Sequence, residues 1–264
     1  MLQAVLFDYD GVIGKTFERQ HNWFKYWAKE NNKPFDFETV SDFQEFYNKE
    51  INKQGGVQNV YDSLGLPCDM KDPEHDVWPA YKRFKKQNPS PLYSSMPETI
   101  KNIHEMGNLS ENPERNTRLR MGINTTNSWE SIYKELKSNN LAQYFDCFIT
   151  EEVLRKYHGA GDGDSLKKPA KVSLALALGL LGSKGQYTIH IGDTLNDLSS
   201  SQKVMRLNPQ NPETLITVGA SWGYEGRDKL EKGLKTADKE TIHFDYIIDK
   251  PKELENIVKD KLKK

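Results

Sequence analysis

Residues 2–14 read Leu2-Gln3-Ala4-Val5-Leu6-Phe7-Asp8-Tyr9-Asp10-Gly11-Val12-Ile13-Gly14. The run 2–7 is mostly apolar and lacks the alternation of a half-solvated strand. That pattern fits a strand buried on both faces of a parallel sheet. Two carboxylates and two glycines follow at once, so the strand ends in a polar turn. An acidic turn at the carboxyl end of a buried parallel strand is where an open α/β sheet places its active site.

The next stretch reads differently. Residues 16–32 carry Phe17, Trp23, Phe24 and Trp27 at helical steps, and three further helices are marked by Phe43, Phe46 and Tyr47, by Val60, Tyr61 and Leu64, and by Trp78, Tyr81 and Phe84. No strand pattern interrupts 15–88. Residues 15–90 hold 14 of the 28 Phe, Trp and Tyr, with 12 basic and 12 acidic residues. Asn88-Pro89-Ser90-Pro91 then breaks the helical pattern.

Beyond it the spacing predicts helix 97–106, a polar insert at 107–118, strand 119–124, helix 128–139 and strand 145–149. A Gly-rich loop at 158–166 leads to helix 170–181, strand 187–191, helix 195–204, strand 214–218, strand 244–248 and helix 251–262. A second charged insert spans 225–243. Strands alternating with helices imply crossover connections and a parallel sheet. The expected fold is α/β: a core of 1–14 and 89–264, split after its first strand by a helical insertion at 15–88.

Composition narrows the function class. The 264 residues carry 37 Lys+Arg and 38 Asp+Glu, leaving no basic excess for a nucleic-acid partner and no acidic tail. Mean hydropathy is −0.78, and Leu174–Leu181, the most apolar later stretch, is too short to span a bilayer. Cys68 and Cys147 cannot form a disulfide framework or a metal-ligand spacing. With no leader-like segment at the start, the expectation is a cytoplasmic protein with no membrane partner.

Four polar sets fall at carboxyl ends of expected strands or open the following helix: Asp8-Tyr9-Asp10-Gly11, Asn124-Thr125-Thr126-Asn127, Lys168-Pro169, and Gly192-Asp193-Thr194-Leu195-Asn196-Asp197. Singly, each has an ordinary explanation. Asp-x-Asp-Gly is a common turn, Thr126 or Asn127 can cap the next helix, Lys168 can be solvated, and Asp193 or Thr194 can cap another helix. Together they gather carboxylates, a hydroxyl and a lysine at one sheet edge. Several carboxylates at one edge call for a divalent cation, and oxygen-only ligands suit Mg²⁺. Mg²⁺ commonly adds a substrate phosphate to one or two carboxylates, and a lysine and a hydroxyl suit the remaining phosphoryl oxygens. No Gly-x-x-x-x-Gly-Lys-Ser/Thr loop is present, which disfavours P-loop chemistry.

The four motifs, in this order and at this spacing, resemble the haloacid dehalogenase-like superfamily of phosphohydrolases, in its branch of phosphoglycolate phosphatases and β-phosphoglucomutases. The resemblance covers nearly the whole chain. It implies a Rossmann-like core with a helical cap, here 15–88, and a small phosphorylated metabolite as substrate. By position it implies Asp8 as the nucleophile that becomes an aspartyl-phosphate, and Asp10 as the general acid and base. It implies Thr126 as the phosphoryl-binding hydroxyl, ahead of Thr125, because the family's hydroxyl is usually followed directly by asparagine. Lys168, next to the proline, is taken ahead of Lys167 as the phosphate-neutralising lysine, and Asn127 and Gly11 add phosphate contacts. Mg²⁺ ligation falls to Asp8, the Asp10 backbone carbonyl and Asp193, with Asp197 holding a metal-bound water or Lys168.

Dehalogenases of the superfamily lack the second aspartate of the first motif, so Asp10 argues against carbon–halogen chemistry. A phosphomutase or phosphonatase on the same scaffold stays open, as does a non-catalytic binding protein. Lys15 replaces the acid usual at the start of the cap. His21 and the Trp23/Trp27 stripe read first as packing and second as cleft residues. Ser221-Trp222-Gly223-Tyr224 resembles a segment of phosphoglycolate phosphatase-like members.

Overall fold

In the computed structural model, which describes residues 1–51, 53, 55–72, 74–108, 118–159, 163–205 and 215–263, Ala4–Phe7 forms strand β1. All four of its residues are fully buried. The chain then forms helices α1 (Thr16–Glu30), α2 (Val40–Ile51), α3 (Val57–Ser63), α4 (Val77–Gln87) and α5 (Met96–Asn108). Strand β2 (Arg120–Asn124), helix α6 (Trp129–Ser138), strand β3 (Cys147–Ile149) and helix α7 (Glu151–His158) follow. Next come α8 (Val172–Leu181), β4 (Thr188–Gly192), α9 (Leu195–Met205), β5 (Ile216–Ala220) and α10 (Gly226–Lys232). A two-stranded hairpin of β6 (Leu234–Lys235) and β7 (Thr241–Ile242), strand β8 (Tyr246–Ile248) and helix α11 (Pro251–Lys263) complete it.

Six strands form one sheet in the order β3-β2-β1-β4-β5-β8, and the neighbouring strands pair in parallel. β1 lies inside the sheet, with Ala4 opposite Arg120 and Thr188 and Phe7 opposite Ile123 and Ile191. The strand order runs outward in opposite directions from the β1/β4 pair. The loops leaving those two strands therefore part around a crevice, the topological switch point of such a sheet.

Successive side chains of β1 serve opposite faces. Val5 and Phe7 join a core with Ile100 and Ile103 of α5, Ile132 and Leu136 of α6, and Leu254 and Val258 of α11. Ala4 and Leu6 join the other, with Leu154 of α7, Leu174, Ala177 and Leu178 of α8, and Val204 of α9. That is why the sequence of β1 shows no alternation: both faces are covered.

The chain divides into two compact units, Met1–Gly14 with Leu92–Lys264, and Lys15–Pro91. In the second unit the aromatic residues form the interior. Phe43 is fully buried, with its ring centroid 5.7 Å from Phe17, 5.3 Å from Phe24 and 5.4 Å from Phe35. Trp23 stacks on Trp27 at 5.3 Å and donates its indole N–H to the Tyr61 hydroxyl at 2.7 Å. His21 is buried against Phe35 and Phe43. Bulky rings fill a small helical core with few residues. Lys15 lies 3.4 Å from Glu18 in the first turn of α1.

Of the polar inserts, 107–118 lies mostly outside the described residues. The insert 225–243 contains α10 and the β6–β7 hairpin. Helix α7 has no counterpart in the sequence-based expectation. It has only eight residues and buries only Leu154, so it offers a single core anchor.

Candidate active site

Asp8 is the first residue past β1, and its backbone N–H still bonds to the Ile191 carbonyl of β4 at 2.9 Å. Asp193 follows β4 directly. The sheet thus brings the two carboxylates together across the switch point. Oxygens of Asp8, Asp193 and Asp197 lie within 4.8 Å of one another, and all three residues are buried.

Lys168 stands between two of them, its Nζ 2.8 Å from Asp8 Oδ1 and 2.7 Å from Asp197 Oδ1. Lys167 points elsewhere, 3.8 Å from Glu151. Asp8 Oδ1 also accepts the Tyr9 backbone N–H at 2.7 Å. In the first turn of α9, Asp197 Oδ2 accepts the Thr194 hydroxyl at 2.6 Å and the Thr194 N–H at 3.2 Å.

Burial sets the charge states. It opposes the Lys168 ammonium, but the charges of Asp197 and Asp8 outweigh it and hold Lys168 above its ordinary value. Burial pushes the Asp8 carboxyl up, Lys168 pulls it back, and the charges of Asp197 and Asp10 add to the rise. Asp193 is pushed well up by burial and by the charges of Asp8 and Asp197. Burial also opposes the Asp197 carboxylate, yet Lys168, His190 and the bonds from Lys168 and Thr194 hold it low. His190 lies beneath Asp197, with Nδ1 2.8 Å from Ser201 Oγ, and burial pushes it down to about 4.

The site fits a divalent cation. Asp193 Oδ2 accepts the Tyr224 backbone N–H at 2.6 Å, but Asp193 Oδ1 is buried with no hydrogen-bond partner among the described residues. One lysine faces three clustered carboxylates, so negative charge remains to be balanced. The donors are all hard oxygens, as Mg²⁺ requires. The backbone around Asp193 is packed to the limit. Gly11 has φ +75, and a Cβ there would lie 1.9 Å from Asp193 Oδ2; a Cβ on Gly223 would lie 2.3 Å from the Asp193 Cβ. Only glycine permits that approach.

Asp10 stands apart from the carboxylate group. Its Oδ2 accepts the Thr125 hydroxyl at 2.9 Å, and its Oδ1 accepts the Asn127 side-chain amide at 2.8 Å. Here the geometry places the two threonines differently. Thr126, expected as the site hydroxyl, is exposed, whereas Thr125 is buried and bonded to Asp10. The physical reason is sheet register. β2 ends at Asn124, and the Thr125 N–H still bonds to the Ile149 carbonyl of β3 at 2.9 Å, so Thr125 is fixed at the sheet edge. The Thr125 hydroxyl also accepts the Asn127 N–H at 3.0 Å, closing the turn in which Thr126 faces outward.

Two other features lie in the Ser221-Trp222-Gly223-Tyr224 segment. Tyr224 reaches Asp193 through its backbone amide, so its side chain gave no sign of the role. The Ser221–Tyr224 turn is also tied to the first loop, with the Trp222 indole N–H donating to the Val12 carbonyl at 3.2 Å and the Tyr93 hydroxyl to the Trp222 carbonyl at 3.1 Å.

Comparison with known proteins gives relatives of the whole chain. The chain is similar to two curated proteins named pyrophosphatase PpaX. The one from Bacillus mycoides is 24% identical over 258 residues, covering 96% of this chain and 95% of the relative. The one from Bacillus cereus is 26% identical over 264 residues, covering 98% and 97%. Among solved structures, CbbY from Rhodobacter sphaeroides, in complex with phosphate, shares the fold with a TM-score of 0.59 at 19% identity, covering 96% of each chain. A HAD-superfamily hydrolase of Geobacter sulfurreducens gives 0.59 at 14% identity, covering 97% of this chain and 96% of that one. The haloacid dehalogenase-like hydrolase family matches residues 5–205, a span that runs from β1 through Asp8, Lys168 and Asp193 into α9. By that match the chain belongs to the haloacid dehalogenase-like hydrolases.

Proposed function

We propose that this hydrolase is a Mg²⁺-dependent phosphatase that transfers the phosphoryl group of a small phosphomonoester to Asp8 and then to water. The observation that carries the reading is Lys168 bridging Asp8 and Asp197 beside the unpartnered Asp193 Oδ1. In the first step an Asp8 carboxylate oxygen bonds to phosphorus, and the ester P–O bond breaks. Asp10, in its carboxylic acid form, gives its proton to the leaving alkoxide. In the second step Asp10, now a carboxylate, takes a proton from water as that water's oxygen attacks phosphorus. The acyl-phosphate bond breaks, and Asp8 and inorganic phosphate are released.

Thr125 and Asn127 aim the Asp10 carboxylate, and Lys168 keeps positive charge beside Asp8 as phosphoryl oxygens approach. Asp8, the Asp10 backbone carbonyl and Asp193 would hold Mg²⁺ directly, with Asp197 acting through Lys168 or a bound water. When bound, the ion neutralises charge on the transferring phosphoryl group. The Lys15–Pro91 unit would serve as a cap that excludes water and selects the substrate. A cytoplasmic setting belongs to the same reading and is supported by the unpaired thiols of Cys68 and Cys147.

A second reading, hydrolysis of inorganic pyrophosphate, is favoured by the names of the curated relatives, which match the chain over nearly their whole length. The same two steps apply, with phosphate as the leaving group. The test is phosphate release from sugar phosphates, phosphoglycolate, nucleotides, phosphonates and pyrophosphate, with Mg²⁺ and with EDTA. Mg²⁺-dependent release from one phosphomonoester supports the first reading, and release confined to pyrophosphate supports the second. No release from any member contradicts both.

A further inference from the structure

Tyr9, between the two aspartates of the first loop, is completely buried, and its hydroxyl donates to the Glu135 carboxylate of α6. Glu135 is itself buried, although it lies 126 residues away in the chain. A buried carboxylate is costly unless its bonds are met. It therefore belongs to a specific contact, and that contact is with the loop carrying Asp8.

Tyr9 is the hub of that loop. Its N–H donates to Asp8 Oδ1, and its carbonyl accepts the N–H groups of Ile13 at 3.0 Å and Gly14 at 2.9 Å. The ring is enclosed tightly enough that a Cβ on Gly14 would lie 2.9 Å from it. Asp10, the next residue, is bonded to Thr125 and Asn127, which immediately precede α6. Two consecutive residues of the first loop thus dock on one stretch of the second, Asp10 at its start and Tyr9 one helical run later. Two anchors fix orientation where one leaves a pivot.

We propose that Glu135 is a positioning residue: through the Tyr9 hydroxyl it fixes the Asp8–Asp10 turn against the segment bearing Thr125 and Asn127. The inference rests on the phosphatase reading for its effect on turnover. Misplacing a nucleophile by about 1 Å can cost about a hundredfold in rate, so partial loosening of this turn is expected to cost about tenfold or more.

Three variants separate positioning from packing. Tyr9→Phe keeps the ring and removes the hydroxyl. Glu135→Gln keeps an oxygen that accepts from Tyr9. The double variant Tyr9→Phe, Glu135→Leu replaces both partners by apolar groups, which can restore stability without restoring the bond. The expected result is kcat lowered about tenfold or more in Tyr9→Phe and in the double variant. KM should stay within about twofold, and kcat should be near wild type in Glu135→Gln. The double variant should melt closer to wild type than Tyr9→Phe does, yet stay slow. If it does not fold, Tyr9→Phe against Glu135→Gln makes the same comparison.

Hydrogen–deuterium exchange supplies a readout independent of turnover. The amides of Gly11, Ile13 and Gly14 should exchange about tenfold faster in the slow variants, with the β1 and β4 amides unchanged. Wild-type kcat in the hydroxyl-less variants overturns the proposal whatever the exchange shows. If the wild-type protein releases no phosphate from any substrate, the phosphatase reading fails instead. Exchange then decides this proposal alone, and unchanged amides at Gly11–Gly14 overturn it.

Discussion

Lys168 Nζ lies 2.8 Å from Asp8 Oδ1, and the same ammonium lies 2.7 Å from Asp197. The lysine therefore does two things at once. It cancels repulsion between buried carboxylates, and it holds the Asp8 carboxylate in one orientation. Removing the charge while keeping the stem, as Lys168→Met, should lower turnover by about a hundredfold or more. It should also destabilise the protein by about 3 kcal/mol, because a buried ion pair loses its cation. Steady-state kinetics and chemical denaturation measure the two effects. Normal turnover in this variant would remove Lys168 from the mechanism.

Asp193 Oδ1 is a buried carboxylate oxygen with no hydrogen-bond partner among the described residues. Asp193→Asn should raise the Mg²⁺ concentration needed for half-maximal activity by about tenfold or more, and calorimetric titration should show the matching loss of binding. A variant titrating like wild type would place the ion elsewhere.

The thiols give a test by pH. Burial pushes Cys147 up to about 12, with the Asp146 charge adding to it, and burial pushes Cys68 up to about 11. A raised thiol pKa means that the reactive thiolate appears only at higher pH. In the native protein at pH 8, both cysteines should react with iodoacetamide about a hundredfold or more slowly than free cysteine. Both should approach the free rate in guanidinium. Mass spectrometry follows each site, and rapid labelling of the native protein would contradict the burial described.

Phe43 tests the helical unit by itself. Its ring is surrounded by Phe17, Phe24, Phe35, Phe37 and Tyr47. Phe43→Ala should cost about 3–5 kcal/mol, the range for deleting a buried aromatic ring. Thermal unfolding with exchange over 15–91 measures it. A loss below about 1 kcal/mol would mean that the aromatic cluster collapses around the gap.

The sequence carries the skeleton of the site because that skeleton follows strand ends. Asp8 stands just past a wholly apolar strand and Asp193 just past a fully buried one, and Lys168 precedes a proline shortly before α8. Those are local signals, visible in one stretch of chain. What was not legible depends on partners far apart. Thr125 rather than Thr126 meets Asp10 because the β2–β3 hydrogen bonds extend one residue beyond β2. Glu135 looks like any acid on a helix until the fold sets it against Tyr9. Tyr224 reaches Asp193 by a backbone amide, which no side-chain pattern encodes. The β6–β7 hairpin has two residues per strand, too few for a period to show.

The central claim is that Asp8 carries the phosphoryl group. Its most direct test is the rate of phosphate release by Asp8→Asn beside the wild-type protein, in Mg²⁺, on the best substrate of the panel. The amide keeps the side-chain shape but is a far weaker nucleophile toward phosphorus, so release should fall by about a thousandfold or more while the fold is retained. An Asp8→Asn protein that releases phosphate at the wild-type rate would contradict the account.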